Sequence, residues 1–252
     1  MGVDSGLPDF RGNSGFWRAY PAIAKLGRSF AEMANPAWFE QDPHLAWAFY
    51  GHRLNLYRAT APHRGFQQLL TLGQTKPDGC RVITSNVDGQ FQQAGFDPDW
   101  IEEVHGSIHH LQCTGPCSGR IWPAEGITVT VNMESFRALE PLPRCPDCGA
   151  MARPNILMFG DWGWLSQRSS AQSARLARWL DDGGRQGQSL VIVEIGAGLA
   201  VPTIRHRSET TARRCQGVLI RINPRDGQIP PGPHVSLSLG GAAGVAALVE
   251  GL

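Results

Sequence analysis

Four cysteines, one histidine and a short run of amides and acids hold most of the chemistry open to this chain. Cys113-x3-Cys117 and Cys145-x2-Cys148 are two close pairs separated by a mostly polar, proline-flanked segment. Each pair forms a turn that aims both sulfurs at one point, so four thiolates can meet around one tetrahedral Zn2+. Such a site is closed: the metal holds the fold together and leaves no coordination position for a substrate. Cys80 and Cys215 read as core residues rather than ligands. Just ahead of the first pair stands Glu103-Val104-His105-Gly106. An imidazole changes charge near neutral pH, as a general base must, although a lone histidine is more often structural than catalytic. His109 and His110 read as ordinary loop or knuckle residues.

Three further clusters can meet a ligand. Thr84-Ser85-Asn86-Val87-Asp88 follows an apolar run, where side chains reach ligands in an open α/β sheet; alone, Asn-Val-Asp after a strand is usually only a turn. Gly196-Ala197-Gly198 follows a second such run, and small residues there let backbone amides approach a cofactor closely. Near the start, Asp4-Ser5-Gly6-Leu7-Pro8-Asp9-Phe10-Arg11-Gly12 has the glycines and proline of irregular backbone, with an acid, an aromatic face and a guanidinium. It is a surface turn or half of a site.

The elements that must position these groups alternate. Residues 80–84, 190–195, 218–222 and 235–239 read as short buried parallel strands. Residues 202–215 read as a helix with Pro202 in its first turn, and 241–252 as an alanine-rich helix. Residues 183–187 read as a glycine loop before a strand. This alternation predicts an α/β, Rossmann-like parallel sheet with ligands at the carboxyl ends of its strands. Two stretches interrupt it: a helical, aromatic-rich one over about 16–72, with Asp42-Pro43 starting a helix to about Ala59, and the cysteine segment from about Leu111 to Arg153. They predict a smaller zinc-binding and helical domain inserted in the sheet domain. The expected division is 1–15, 63–107 and 154–252 for the nucleotide-binding domain, and 16–62 with 108–153 for the small domain.

Composition narrows the partners. With 252 residues, 42% hydrophobic, 18% charged and a net charge of +1, the chain is of globular type and not built to coat nucleic acid or an anionic membrane. The basic runs at Arg205–Arg207 and Arg213–Arg214 read as solvated helix faces. No apolar run spans a bilayer, no signal peptide is evident, and paired cysteines at metal spacing point to a reducing, cytoplasmic setting.

In this order the motifs resemble the sirtuins, NAD-dependent protein deacylases. Ser5 to Gly12 resembles their nicotinamide loop, 84–88 their Thr-Gln-Asn-Ile-Asp, and His105-Gly106 their His-Gly. Residues 153–160 resemble the segment that pairs with the substrate backbone, 196–198 their Gly-Thr-Ser, and Ile222-Asn223 their Ile-Asn. Ser85 replaces the glutamine, Val87 the isoleucine and Gly198 the serine; Pro202 comes one position early, and the first cysteine pair is more usually x2-spaced. The family's loop follows a strand and a Gly-Ala-Gly turn that this sequence lacks, so the expectation is a chain truncated at its start and impaired in NAD binding.

The resemblance implies that an acyl-lysine oxygen attacks C1′ of the nicotinamide ribose, releasing nicotinamide. A histidine-activated ribose hydroxyl then collapses the alkylimidate to free lysine and O-acyl-ADP-ribose. It implies His105 as base, Asn86 at the ribose, Asp88 at the carboxamide and Phe10 shielding the reactive face, with Asp9 and Arg11 ordering the loop. Ser85, Gly196, Ala197, Gly198 and Asn223 complete the NAD site, and Ile156, Leu157, Phe159 and Gly160 face the peptide. The partners implied are acyl-lysine proteins or peptides. Ala34, with Tyr50 and Arg53 three apart on one helix face, resembles the subclass that removes succinyl and malonyl groups. A guanidinium beside a phenol suits a carboxylate; the alternative is a surface arginine beside a core tyrosine. ADP-ribosyl transfer, NAD hydrolysis, or a zinc-stabilised nucleotide- or peptide-binding module without turnover are the alternative functions.

Overall fold

The structure, a computed structural model, describes residues 1–9, 12–25, 27–115 and 117–251. A 3-10 turn at Gly2–Ser5 precedes short helices α1 (Gly12–Ala19), α2 (Pro21–Lys25), α3 (Phe30–Met33) and α4 (Trp38–Gln41). The long helix α5 (Pro43–Ala59) starts where the sequence places it. The Asp42 carboxylate accepts from the Leu45 amide at 3.1 Å, and Pro43, which has no N–H to satisfy, takes the first turn. Apolar residues surround α5 on nearly every side, as a core helix requires. His63 caps α6 (Arg64–Gln74), its Nδ1 accepting from the Gly65 amide at 3.1 Å.

β1 (Val82–Thr84), the short α7 (Gln90–Gln93) and β2 (Ile101–Glu103) form a parallel unit, with Val82 opposite Ile101. β3 (Gly106–Cys113) then enters the cysteine segment, followed by β4 (Ile121–Pro123), the hairpin of β5 (Val131–Asn132) and β6 (Arg137–Ala138), and β7 (Ala152–Ile156). β3 lies between β4 and β7, antiparallel to both. The long α8 (Gln167–Arg185) leads to β8 (Val191–Ile195), α9 (Thr203–Arg214), β9 (Val218–Ile222), β10 (Val235–Leu237) and α10 (Gly241–Glu250). β9 is central in this parallel sheet, with Val218 opposite Val191 and Ile220 opposite Val235.

Several local expectations are corrected. Gly183, Gly184 and Arg185 form the last turn of α8, so the loop starts only at Gln186. Pro202 stands at the N-cap of α9, one residue before its first turn. Arg205 is buried, donating to the carbonyls of Asp226 at 2.9 Å and Gln228 at 2.6 Å, and Arg207 pairs with Glu102 at 2.7 Å. Arg213 and Arg214 are exposed as expected. His109 and His110 lie within strand β3, not in a loop.

One apolar cluster joins Phe16, Trp47, Phe49 and Leu54 of the helical stretch to Ile108, Leu111 and Trp122 of the cysteine segment. The parallel strands are less complete. Among the described residues β1 pairs only with β2, and β8 only with β9. A cavity of about 2300 Å³ lies between them, lined by Val82 and Ile83 on one side and Val191 to Val193 on the other. No helix among the described residues is long and apolar enough to cross a membrane.

Candidate active site

The same cavity opens at the carboxyl ends of β1 and β8, where the polar clusters of the sequence converge. After β1 the chain leaves the strand at Thr84, whose hydroxyl accepts from the Asn86 amide at 3.0 Å. This turn exposes Asn86 and buries Asp88. Burial raises the Asp88 carboxyl above its ordinary range, while the Gln90 amide, 3.0 Å from its Oδ1, opposes that shift. His109 fixes the turn from behind, its Nε2 2.9 Å from the Asp88 carbonyl.

Backbone bonds stitch the surrounding segments together. The Val104 amide donates to Thr84 O at 2.9 Å, Ile108 to Val87 O at 3.1 Å, Leu157 to His105 O at 3.0 Å and Phe159 to Ala34 O at 2.9 Å. Only glycine fits at 106, where φ is +77° and a Cβ would lie 2.0 Å from the Asn155 carbonyl. That close approach seats His105 on the cavity wall beside the Ser85 backbone. Burial lowers the His105 pKa, and a backbone hydrogen bond with Ser85 acts in the opposite direction. A neutral imidazole near pH 7 can accept a proton.

Across the cavity, Gly196 turns the chain at φ +67°, donating to Ile222 O at 2.8 Å, and Gly196, Ala197 and Gly198 line the opening. Asn223 is fully buried behind this wall. Its amide donates to Ala197 O at 2.9 Å and its Oδ1 accepts from the Arg225 and Asp226 amides at 3.0 Å, so it shapes the loop from beneath. The N-terminal loop closes a third side. The Asp4 carboxylate accepts from the Ala242 amide at 3.1 Å, Ser5 Oγ from the His63 amide at 3.0 Å, and Asp9 pairs with Arg225 at 3.5 Å. Phe10 and Arg11 lie outside the described residues.

The fourth side is apolar with a buried charge. Ala34, Ile156, Leu157 and Phe159 line it, Leu157 and Phe159 being exposed at the rim; Gly160 follows, exposed and at φ +68°. Below them, Tyr50 and Arg53 leave one face of α5, both buried, so Arg53 is not the surface residue the sequence also allowed. The Tyr50 hydroxyl has no hydrogen-bond partner among the described residues. Sequence reasoning missed Tyr57 one turn further on, whose hydroxyl accepts from Arg53 Nε at 3.0 Å and Nη2 at 2.9 Å. Its spacing of four from Arg53 was the available signal.

Away from the cavity the four cysteines meet. Cys113 and Cys148 lie 3.7 Å apart, Cys117 and Cys145 3.6 Å, and all four sulfurs fall within 4.8 Å of one another. Four ligands at the Zn–S distance of about 2.3 Å stand about 3.8 Å apart at the corners of a tetrahedron. The x3 spacing of the first pair therefore still closes the set, and the four thiols fit a structural Zn2+.

Known proteins carry the same pattern. The Sir2 family model matches residues 1–175. An NAD-dependent protein deacylase of Thermococcus kodakarensis is 34% identical over 164 residues, which are 64% of this chain and 56% of that protein. One from Pyrococcus furiosus is 30% identical over 234 residues, 92% of this chain and 81% of its own length. Among solved structures, a Sir2 homologue mutant in complex with ADP ribose superposes with a TM-score of 0.68 at 25% identity, covering 98% of this chain and 86% of that one. A Sir2 homologue–NAD complex gives 0.67 at 25% identity, covering 99% and 84%.

Proposed function

The chain belongs to the Sir2 family, and from that premise we propose that it is an NAD-dependent protein lysine deacylase. One observation supports this reading above the others. His105, Asn86, Asp88 and the 196–198 loop, which lie far apart in the sequence, share one cavity, and the apolar groove of Leu157 and Phe159 opens beside His105. Bound NAD supplies the activated C1′ and the ribose hydroxyl of the reaction. Asn86, exposed at the cavity edge, would hold the ribose, and the buried carboxyl of Asp88 would bind the carboxamide. His105, kept neutral by burial, takes the proton of the ribose hydroxyl. Asp9 and Arg11 order the N-terminal loop and Phe10 shields the reactive face, Ser85 lies beside the base, and Ala197 and Gly198, braced by Asn223, offer backbone amides while Gly196 turns the chain.

The substrates in this reading are acyl-lysine peptides. The peptide lies along Ile156 to Gly160, where Leu157 and Phe159 keep apolar surface exposed, and the acyl chain passes Ala34 toward Tyr50 and Arg53. A buried guanidinium at the end of that path favours an acidic acyl group such as succinyl or malonyl. Cys113, Cys117, Cys145 and Cys148 hold Zn2+ with no part in the chemistry. We divide the chain at 1–15, 63–107 and 154–252 for the nucleotide-binding domain and 16–62 with 108–153 for the small one. Most members of the apolar cluster come from the last two stretches, which supports that division, and Leu7, Val87, Ile156 and Met158 join it from the nucleotide-binding side.

The test is incubation with NAD and matched acetyl-, succinyl- and malonyl-lysine peptides, with products read by mass spectrometry. O-acyl-ADP-ribose is expected, most from the acidic substrates. Free ADP-ribose or ADP-ribosylated protein without deacylated peptide would replace this reading with NAD hydrolysis or ADP-ribosyl transfer. A preference for acetyl would sink the acidic pocket alone.

A further inference from the structure

Arg53 sits in an aromatic enclosure. Its guanidinium carbon lies 5.1 Å from the centre of the Phe49 ring, 5.4 Å from Tyr57, 5.6 Å from Phe30 and 5.7 Å from Tyr50. Cation–π contacts hold the charge among these four rings. Direction comes from hydrogen bonds, and Tyr57 makes two. One phenol oxygen accepts from both Nε and Nη2, the pair of donors that a carboxylate would otherwise take side-on. Tyr50, Arg53 and Tyr57 follow one another at spacings of three and four on α5, and all three line the cavity. Burial keeps the Tyr57 phenol protonated, so it meets the guanidinium as a neutral acceptor.

We propose that Tyr57 is a positioning residue that sets acyl specificity: by holding the Nε–Nη2 edge it fixes the Arg53 guanidinium plane and tunes how strongly a carboxylate-ended acyl group is preferred to a neutral one. The proposal rests on the acidic-pocket reading above. A merely structural tyrosine would contribute its ring to the core and leave that preference unchanged. A positioning tyrosine makes the preference depend on its oxygen.

The experiment measures binding, so its readout does not depend on turnover. Succinyl-lysine and acetyl-lysine forms of one peptide are titrated calorimetrically into the full chain without nucleotide, for the wild type, Arg53→Met, Tyr57→Phe and Tyr57→Gln. In parallel, exchange of the Arg53 Nε–H proton is followed by NMR, the Arg53→Met spectrum identifying the signal. Wild type is expected to prefer the succinyl peptide, and Arg53→Met to abolish that preference. Tyr57→Phe is expected to reduce it about tenfold, as loss of hydrogen bonds to a charged group does, and to speed exchange of the Arg53 proton. Tyr57→Gln, which returns an acceptor oxygen, is expected to keep part of both. If Arg53→Met abolishes the preference while Tyr57→Phe leaves both preference and exchange unchanged, the Tyr57 proposal is overturned and the acidic pocket stands. If the wild type shows no preference, or Arg53→Met does not alter it, the acidic pocket falls and this proposal with it.

Discussion

The helical and cysteine-bearing half of the molecule packs by different rules from the parallel-strand half. In the first, Phe16, Trp47, Phe49 and Leu54 have no exposed surface. Side chains of α5 reach across to the cysteine segment: His44 Nδ1 to Ala138 O at 2.7 Å, Trp47 Nε1 to Ala152 O at 3.0 Å, Asn55 to Val129 O at 2.9 Å and Arg58 to Ala124 O at 2.7 Å. In the second half, β1 is only half-buried along its length, and Val191 on β8 is 56% exposed beside the cavity. The difference teaches where rigidity and room are each provided. The wall that would grip an acyl chain belongs to the dense half, and the space that would admit a dinucleotide lies against the open one.

Metal removal should give the largest effect, and it should be confined to one side. Structural Zn2+ contributes apparent binding energies of about 10–16 kcal/mol in small modules, so losing a ligand unfolds what the metal holds. Cys145 is buried within the cluster, 3.6 Å from Cys117. Cys145→Ser is expected to abolish stoichiometric zinc by elemental analysis and to remove amide exchange protection in β3, β4 and β7, while β8 and β9 keep theirs. Equal loss in both halves would erase the contrast.

Next in size are two buried substitutions, one on each side. Trp47→Ala removes a fully buried ring and orphans the Ala152 carbonyl, at an expected cost of about 3–5 kcal/mol in urea unfolding. The open half has its own anchor. Arg221 and Glu194 are both fully buried, paired at 2.5 and 3.0 Å, with Glu209 at 2.8 Å from Arg221. Arg221→Met strands the Glu194 carboxylate and should cost a similar amount, about 3–5 kcal/mol. A cost below about 1 kcal/mol would mean that water already reaches the pair through the cavity side.

How far these features could be read beforehand differs along the same line. β9 is visible in the sequence at its observed bounds because Val218, Leu219, Ile220 and Ile222 are β-branched or apolar and locally consistent. α5 is equally legible through Asp42 and Pro43. α8 is not, because its surface face is polar and Gly183-Gly184 looks like a break; its packing on β2, with Ser169 Oγ donating to Glu103 O at 2.8 Å, overrides that weak propensity. The catalytic-type motifs stand out because chemistry constrains residue type. Tyr57 and the buried role of Arg205 did not, since a tyrosine or an arginine on a helix has many bland uses.

A smaller effect concerns pH and the dense half. Burial pushes the His110 imidazole down to about 4, aided by Arg168 and His109 and opposed by Glu103, and its Nδ1 has no partner among the described residues. In the unfolded chain an imidazole titrates near its ordinary value of about 6.5. Between these two values the unfolded state therefore binds a proton that the folded state does not, and stability falls as pH drops through that window. The lowered pKa of His105 acts in the same direction. The urea midpoint should drop from pH 7 to pH 5, and His110→Gln should reduce that drop. An unchanged slope in the variant would show that His110 is as hydrated as an open-half residue.

The smallest expected effect tests the open half most directly. Val191 starts β8, opposite Val218, and is 56% exposed, whereas Leu219 on the adjoining strand is fully buried. Leu219→Ala should then cost about 2–5 kcal/mol, and Val191→Ala less than about 0.5 kcal/mol, as surface substitutions do. Both changes delete methyl groups from neighbouring strands of one sheet, so topology is matched; the loss of a β-branched residue falls on Val191, so a larger cost at Leu219 reports burial. Should Val191→Ala cost as much as a buried valine, something covers that strand in solution, and the contrast between the halves narrows to the site alone. Should it cost little, while the β8 amides exchange faster than those of β9, the space between β1 and β8 is open to water in solution as it is in the structure.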